Sequence, residues 1–126
     1  MPAIILIADD YDDTRELLRL MLQAAGYTTR EARNGRECVT AARQNTPDLI
    51  LIDLSMPELD GWGVLKELRA DERISGLPCI AVTAFASDAD RTRALDAGFN
   101  AYLAKPFRSK ELLAAVEPLL ADGKRR

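Results

Sequence analysis

Four short runs of this chain are apolar without interruption: Ile4-Ile5-Leu6-Ile7, Leu49-Ile50-Leu51-Ile52, Cys79-Ile80-Ala81-Val82 and Ala101-Tyr102-Leu103-Ala104. A strand with one wet face alternates polar and apolar residues. A strand that is apolar at every position is covered on both faces, the condition of a parallel sheet between two layers of helix. Between the runs the period changes. Leu17, Leu18, Met21, Leu22 and Ala25 recur at helical spacing, as do Cys38, Val39 and Ala42, then Val64, Leu65 and Leu68, and finally Leu112, Leu113, Val116 and Leu120. The more polar Tyr27 to Ala32 reads as a further strand at a sheet edge. Gly26 closes the first helix, and Asn34-Gly35 opens the second, which stops before Pro47. Ser87 or Asp88 caps the fourth, Gly98 ends it, and the fifth starts near Ser109 with Pro118 expected to distort or shorten its final turn.

Five strands thus alternate with five helices, which sets the class as α/β. Right-handed crossovers then predict a doubly wound, flavodoxin-like parallel sheet of order 2-1-3-4-5 with helices on both faces. At 126 residues there is room for one domain, expected over residues 1–121, and a short basic tail over 122–126. A net charge of −3 argues against a broad nucleic-acid or membrane surface, so neither direct DNA binding nor membrane contact is expected. No apolar stretch approaches the roughly 20 residues of a span, and Met1-Pro2-Ala3 has no basic leader character, so a cytoplasmic location is expected. The chain contains no histidine. That excludes Cys/His metal sites and histidine-based nucleophilic or acid–base catalysis. Cys38 and Cys79 read as small buried hydrophobes.

Chemistry collects where the apolar runs stop. Asp9-Asp10 follows the first, Asp53 the third; Thr83 closes the fourth and Lys105 follows the last. In open α/β sheets, ligands bind outside the carboxyl ends of the strands, where the strand order reverses. Each residue alone has a plain structural reading. Asp9-Asp10 can cap the next helix, as can Asp12 and Asp13; Asp53 can be a turn residue, and Thr83 and Lys105 ordinary surface. Together they read differently. Carboxylates about 4 Å apart repel by roughly 4 kcal/mol at an effective dielectric near 20, so the cluster must raise a pKa, take up a cation, or both. Oxygen-only ligands select a hard ion, Mg²⁺ ahead of Mn²⁺ or Ca²⁺. Lysine suits a phosphate oxygen and threonine donates one hydrogen bond to it. A carboxylate facing a bound metal in such a cradle can attack phosphorus in line, giving an acyl phosphate.

At these residues the chain resembles the receiver domain of bacterial two-component response regulators, of the stand-alone, chemotaxis-regulator-like type. The landmarks are Ile7-Ala8-Asp9-Asp10, Asp48 through Pro57 with Asp53 inside it, Asp60-Gly61, Val82-Thr83-Ala84 and Ala104-Lys105-Pro106-Phe107. The resemblance spans Ile4 to about Leu120. It implies that Asp53 is the phosphoacceptor, supplied by the phosphohistidine of a sensor histidine kinase or histidine phosphotransfer protein. It implies Mg²⁺ held by Asp10, Asp53, the backbone carbonyl of Ser55 and, through water, Asp9. Thr83 and Lys105 would bind phosphoryl oxygens, with Lys105-Pro106 a cis peptide. Movement of Thr83 would make room for Tyr102, re-setting the surface of the fourth helix, fifth strand and fifth helix for a downstream target protein. Tyr102 reads otherwise as an edge aromatic, and Trp62 as a packing or interface aromatic.

The family often has another polar or acidic residue where Ser55 stands and varied residues at Phe85, and the resemblance places these two side chains beside the path of attacking water. The apolar Phe85 is expected to slow dephosphorylation. An Mg²⁺-dependent phosphatase with an aspartyl-phosphate intermediate is the competing enzyme reading, but it requires a second aspartate where Ser55 stands. A flavin carrier of this fold needs a hydroxyl- and glycine-rich phosphate loop, and Asp9 through Asp13 offers the opposite charge. A receiver-like module that is never phosphorylated would not need all five chemical positions. Within 126 residues no DNA-binding or catalytic domain accompanies the receiver, so the expected output is protein binding or onward phosphotransfer. Val82-Thr83-Ala84-Phe85-Ala86 looks somewhat like the relay and cell-cycle single-domain regulators.

Overall fold

The computed structural model describes residues 2–84 and 87–124, with residues 121–124 as backbone only. Strands β1 (Ile4–Ala8), β2 (Thr28–Ala32), β3 (Leu49–Asp53), β4 (Cys79–Thr83) and β5 (Ala101–Ala104) alternate with helices α1 (Asp12–Ala24), α2 (Gly35–Gln44), α3 (Gly61–Ala70), α4 (Asp88–Ala97) and α5 (Ser109–Lys124). The sheet runs β2-β1-β3-β4-β5 and every pairing is parallel, the order that the alternation of periods predicts.

Strand alternation sorts the apolar runs into two cores. Leu6, Ala8, Ile50, Ile52, Cys79 and Ala81 face Cys38, Val39, Val64, Leu65, Leu68 and Ala94 from α2, α3 and α4. Ile5, Ile7, Leu49, Leu51, Ile80, Val82 and Leu103 face Leu18, Leu22, Leu112 and Val116 from α1 and α5. Each fully buried Leu or Ile contributes about 1.5–3 kcal/mol over leaving it exposed, so all-apolar strands stabilise both layers at once. The two edge strands differ: only Ala32 of the five β2 residues and only Leu103 of the four β5 residues are buried, and β2 has the polar sequence that an exposed edge tolerates.

Local signals place most helix ends. The Asn34 side chain accepts from the Glu37 amide at 2.8 Å, Asp60 from the Gly63 amide at 2.9 Å and Ser87 from the Asp90 amide at 3.1 Å, each satisfying a first-turn donor. Gly98 closes α4 in the left-handed conformation at φ 118°, where a Cβ would be strained. Helix α1 differs from expectation. Its N-cap is Tyr11, with no side-chain cap, and Asp12 and Asp13 lie in the first turn. Leu18 and Leu22 carry its buried face, while Leu17 is 44% exposed and Ala25 lies outside the helix as an exposed C-cap. Leu113 is half-buried between the buried Leu112 and Val116 of α5. Pro118 lies inside α5, which continues to Lys124, so the proline neither ends nor shortens the helix before that point. The rest of the expected tail, residues 125 and 126, lies outside the described residues.

The α3–β4 connection is fastened by one side chain. The Arg69 guanidinium donates to the carbonyls of Ser75 at 2.9 Å, Leu77 at 2.7 Å and Gly98 at 2.9 Å, and to Asn100 Oδ1 at 3.1 Å. Asn100 Oδ1 also accepts the first amide of β4, Cys79 N, at 2.9 Å. Cys38 and Cys79 are free and buried. Burial pushes the Cys38 thiol up to about 12 and the Cys79 thiol up to about 11, so both are inert neutral hydrophobes. Among the described residues no helix is long and apolar enough to cross a membrane.

Candidate functional site

Helix α1 leaves β1 toward one face of the sheet and α3 leaves β3 toward the other, so a crevice opens between the carboxyl ends of these neighbouring strands. The register sets what lines it. Ala8 pairs with Ile52, Asp53 with Val82, and Thr83 with Ala104. Asp9, Asp53, Thr83 and Lys105 therefore emerge in a row along one edge, each at or just past the end of its strand.

Asp9, Asp53 and Thr83 are the buried polar residues among those described, at 1%, 5% and 2% exposure. Each acid is pinned at both oxygens. Asp9 Oδ1 accepts the Tyr11 amide at 2.8 Å, and Asp53 Oδ1 accepts the Ser55 amide at 2.9 Å. The remaining oxygens share one cation: Lys105 Nζ donates to Asp9 Oδ2 at 3.2 Å and to Asp53 Oδ2 at 3.3 Å. Lys105-Pro106 is cis, as the family resemblance implies. Asp10 is exposed, and oxygens from Asp9, Asp10 and Asp53 lie within 4.8 Å of one another. One ammonium among three carboxylates leaves the cluster short of positive charge.

The electrostatics follow. Burial raises the Asp53 carboxyl above its ordinary value and the Asp9 charge adds to this, while the Ser55 amide and Lys105 oppose it. Burial works to lower Lys105, but Asp53 and Asp9 outweigh it and the ammonium is held above its usual range. The lysine thus stays charged and the proton demand falls on Asp53. An oxygen-only donor set, crowded and under-compensated, fits a hard divalent cation.

Ser55 is exposed, one turn of loop beyond Asp53, and its amide supports the acid. Tyr102 is half-buried on β5 opposite Ala81 and packs on the α2–α3–α4 side of the core. Burial raises its hydroxyl, with help from Asp90. Phe85 lies outside the described residues. A cleft of about 520 Å³ opens beside the site, lined by Leu54, Ser55, Asp60, Trp62, Thr83, Asp90 and Arg93.

Three further residues, Arg15, Gly61 and Gly35, support the site. Arg15, whose side chain is 11% exposed, reaches back from α1 to the Asp9 carbonyl at 2.9 Å, steadied by Glu31 at 3.0 Å and by Asp12. The Asp12–Arg15 spacing is visible in the sequence; the Glu31 contact from β2 is not. Gly61 lies so close to the end of β3 that a Cβ there would sit 2.7 Å from the Asp53 carbonyl oxygen and 2.8 Å from Leu54 Cα. Gly35 likewise lies against the Leu59 carbonyl, which packs the β3–α3 loop down on α2. That loop also holds Glu58 at φ 67°.

The family model described as the response regulator receiver domain matches residues 5–117 of the chain. The polar-differentiation response regulator DivK of Brucella anthropi is 38% identical over 123 residues, 98% of this chain and all of that relative. Chemotaxis protein CheY4 of Vibrio cholerae superposes with a TM-score of 0.87 at 28% identity, covering 94% of this chain and 99% of that one. The receiver domain of the sensor histidine kinase PA1611 of Pseudomonas aeruginosa, solved with a magnesium ion coordinated in its active site cleft, superposes with a TM-score of 0.88 at 35% identity, over 96% of this chain and 99% of that one.

Proposed function

This chain belongs to the response regulator receiver domains of two-component signalling, and from that premise we propose that Asp53 is its phosphoacceptor. The observation that carries the reading is the single Lys105 ammonium held between two buried carboxylates, at 3.2 and 3.3 Å. Of the two, Asp53 stands in the middle of the row, with Asp9 on one side and Thr83 on the other. A phosphoryl group built on its Oδ2 side therefore meets Lys105, and meets Thr83 from the next strand.

The donor is the phosphohistidine of a sensor histidine kinase or a histidine phosphotransfer protein, since this chain contains no histidine. An Asp53 carboxylate oxygen attacks phosphorus, a P–O bond forms, the donor's P–N bond breaks, and the imidazole leaves neutral after taking a proton. Asp9, Asp10 and Asp53, with the Ser55 carbonyl, would hold Mg²⁺. Bound there, the ion supplies positive charge to the carboxylates and to the phosphoryl oxygens. Lys105 steadies the phosphoryl group from the other side, and the Ser55 amide keeps the non-attacking Asp53 oxygen in place. The Thr83 hydroxyl, drawn toward a phosphoryl oxygen, yields space that Tyr102 takes up, which alters the α4-β5-α5 surface that a target protein meets. The role is that of a signalling domain whose own phosphoryl transfer and dephosphorylation are its chemistry.

The test is direct. Incubated with MgCl₂ and acetyl phosphate, the protein is expected to gain the mass of one phosphoryl group, and the Asp53→Asn variant to gain none. A wild type that stays unmodified, or a variant that still takes the group, overturns the assignment.

A further inference from the structure

Helix α4 is attached to the rest of the molecule by little apolar surface. Of its ten residues only Ala94 is buried, and Asp88, Asp90, Arg91, Arg93 and Asp96 leave it no apolar stripe. Its middle is held instead by an aromatic contact. The Arg93 guanidinium lies 4.3 Å from the centre of the Trp62 ring. Trp62 in turn meets Phe99 edge-on, with ring centres 5.8 Å apart and planes at 75°. Phe99 is buried and lies just past the end of α4. Trp62, from the first turn of α3, is thus grasped by Arg93 and Phe99 together.

The contact borders the cleft beside the acid cluster. Leu54, Ser55 and Thr83, at the ends of β3 and β4, line that cleft together with Asp60, Trp62, Asp90 and Arg93. Among the described lining residues Arg93 is the cation. A guanidinium over an aromatic face is held by the ring quadrupole alone, and an anion with fixed acceptors competes well for it. A phosphoryl group brings three acceptor oxygens and a charge of roughly −1.5 to −2 at neutral pH, in the geometry that a guanidinium binds bidentately.

We propose that Arg93 is a charge-sensing latch: docked on Trp62 at rest, it turns into the cleft toward the phosphoryl group when Asp53 is modified, loosening α4 from α3. The latch rests on Asp53 being the phosphoacceptor and adds a second cation and a second moving part to that site. It gives Trp62 a role beyond packing, because the ring is the surface that the guanidinium leaves.

Trp62 is the chain's single tryptophan, so its emission reads the latch without interference. The full chain in MgCl₂ is followed by tryptophan emission and by intact mass before and after acetyl phosphate is added, alongside Arg93→Gln and Arg93→Lys. In the wild type the mass gain and a change in Trp62 emission are expected together. Arg93→Gln is expected to take up the phosphoryl group with its resting emission already displaced and the phosphorylation-dependent change lost. Arg93→Lys, which keeps the charge but stacks less well, retains part of the change. A wild type that gains the mass with unmoved emission overturns the latch, as does an Arg93→Gln protein whose change equals the wild type's. A wild type that gains no mass overturns the phosphoacceptor assignment instead, so the two failures are told apart.

Discussion

Replacing Asp53 by asparagine removes the proposed phosphoacceptor, and it is expected to make the metal-free protein more stable. The structure supplies the terms. An Asp9 oxygen within 4.8 Å repels the Asp53 charge by about 3.5 kcal/mol at an effective dielectric of 20, and Lys105 at 3.3 Å attracts it by about 5 kcal/mol. Asp10 is exposed, so solvent screens its share. Burying the carboxylate itself costs several kcal/mol, which tips the balance against the charge. The raised Asp53 pKa has the same sign and the same leading cause, burial. Asparagine keeps the acceptor for the Ser55 amide; its amide nitrogen, in place of Oδ2, gives up the Lys105 hydrogen bond, but Lys105 keeps Asp9 at 3.2 Å, so no charge is orphaned. The expected gain is about 1–2 kcal/mol. With an unfolding entropy near 2.1 cal/mol/K per residue over 126 residues, this is a rise in Tm of about 4–8 °C. The measurement is thermal unfolding by circular dichroism at pH 7 with a chelator present, repeated in millimolar MgCl₂. Added metal stabilises the wild type through binding and narrows the gap. Acid narrows it too. A carboxyl whose folded pKa is raised contributes stability that is complete below its unfolded value, near 3.8, and lost as pH rises through the folded value. The wild type therefore gains on the variant as pH falls. A variant that melts at or below the wild type in metal-free neutral buffer would refute this account of the charge balance.

Lys105→Met leaves Asp9 and Asp53 facing each other without their shared cation; a loss of about 3 kcal/mol is expected without metal, largely recovered in MgCl₂, as read by the same melts. Gly61→Ala drives a Cβ to 2.7 Å from the Asp53 carbonyl oxygen, backbone that cannot swing aside. It should cost about 1–3 kcal/mol and lower the yield of phosphorylated protein at fixed donor, both read by denaturant unfolding and intact mass. Asn34→Ala removes the cap that accepts the Glu37 amide; a loss of about 1 kcal/mol with phosphorylation unchanged is expected, so that a drop in yield would place α2 in the site's function.

The fold was legible because its three central strands, β1, β3 and β4, are buried on both faces. A run such as Leu49 to Ile52, with all four side chains buried, has no polar alternation to mislead the eye, and the order of the sheet then follows from handedness. The acid cluster was legible for a related reason: strand ends are fixed points, so residues far apart in sequence can be placed side by side before any contact is known. What stayed hidden depends on contacts between elements. Leu17 shares the helical spacing of Leu18 and Leu22, yet it lies outside the covered arc of α1. Arg69 reads as one more surface cation on α3, although its guanidinium holds four acceptors from two connections, α3–β4 and α4–β5. Pro118 shows the limit of a local rule. A proline removes one donor and crowds one carbonyl, but the apolar face of α5, anchored by the buried Leu112, Val116 and Leu120, keeps the helix on the sheet through that defect.

On the proposed reading, the shortage of positive charge at the strand ends explains why metal and phosphoryl group depend on each other. Three carboxylates and one ammonium make a poor resting place for a further anion, and phosphorylation, which replaces the Asp53 charge by a phosphoryl group of roughly −1.5 to −2, would deepen the deficit by about half a charge to one. Lys105 is already shared between two acids. Additional compensation has to come from a divalent cation entering among Asp9, Asp10 and Asp53, or from a guanidinium arriving from outside the cluster. The first source neutralises the site in place, and the second requires movement. Arg93 is positioned to be the second, because its partner on Trp62 is an aromatic face rather than a carboxylate, and such a contact is worth only about 0.5–2 kcal/mol. A chain that instead fixed this arginine in a buried ion pair would hold α4 more firmly, and would lose the means by which charge at Asp53 reaches the helix.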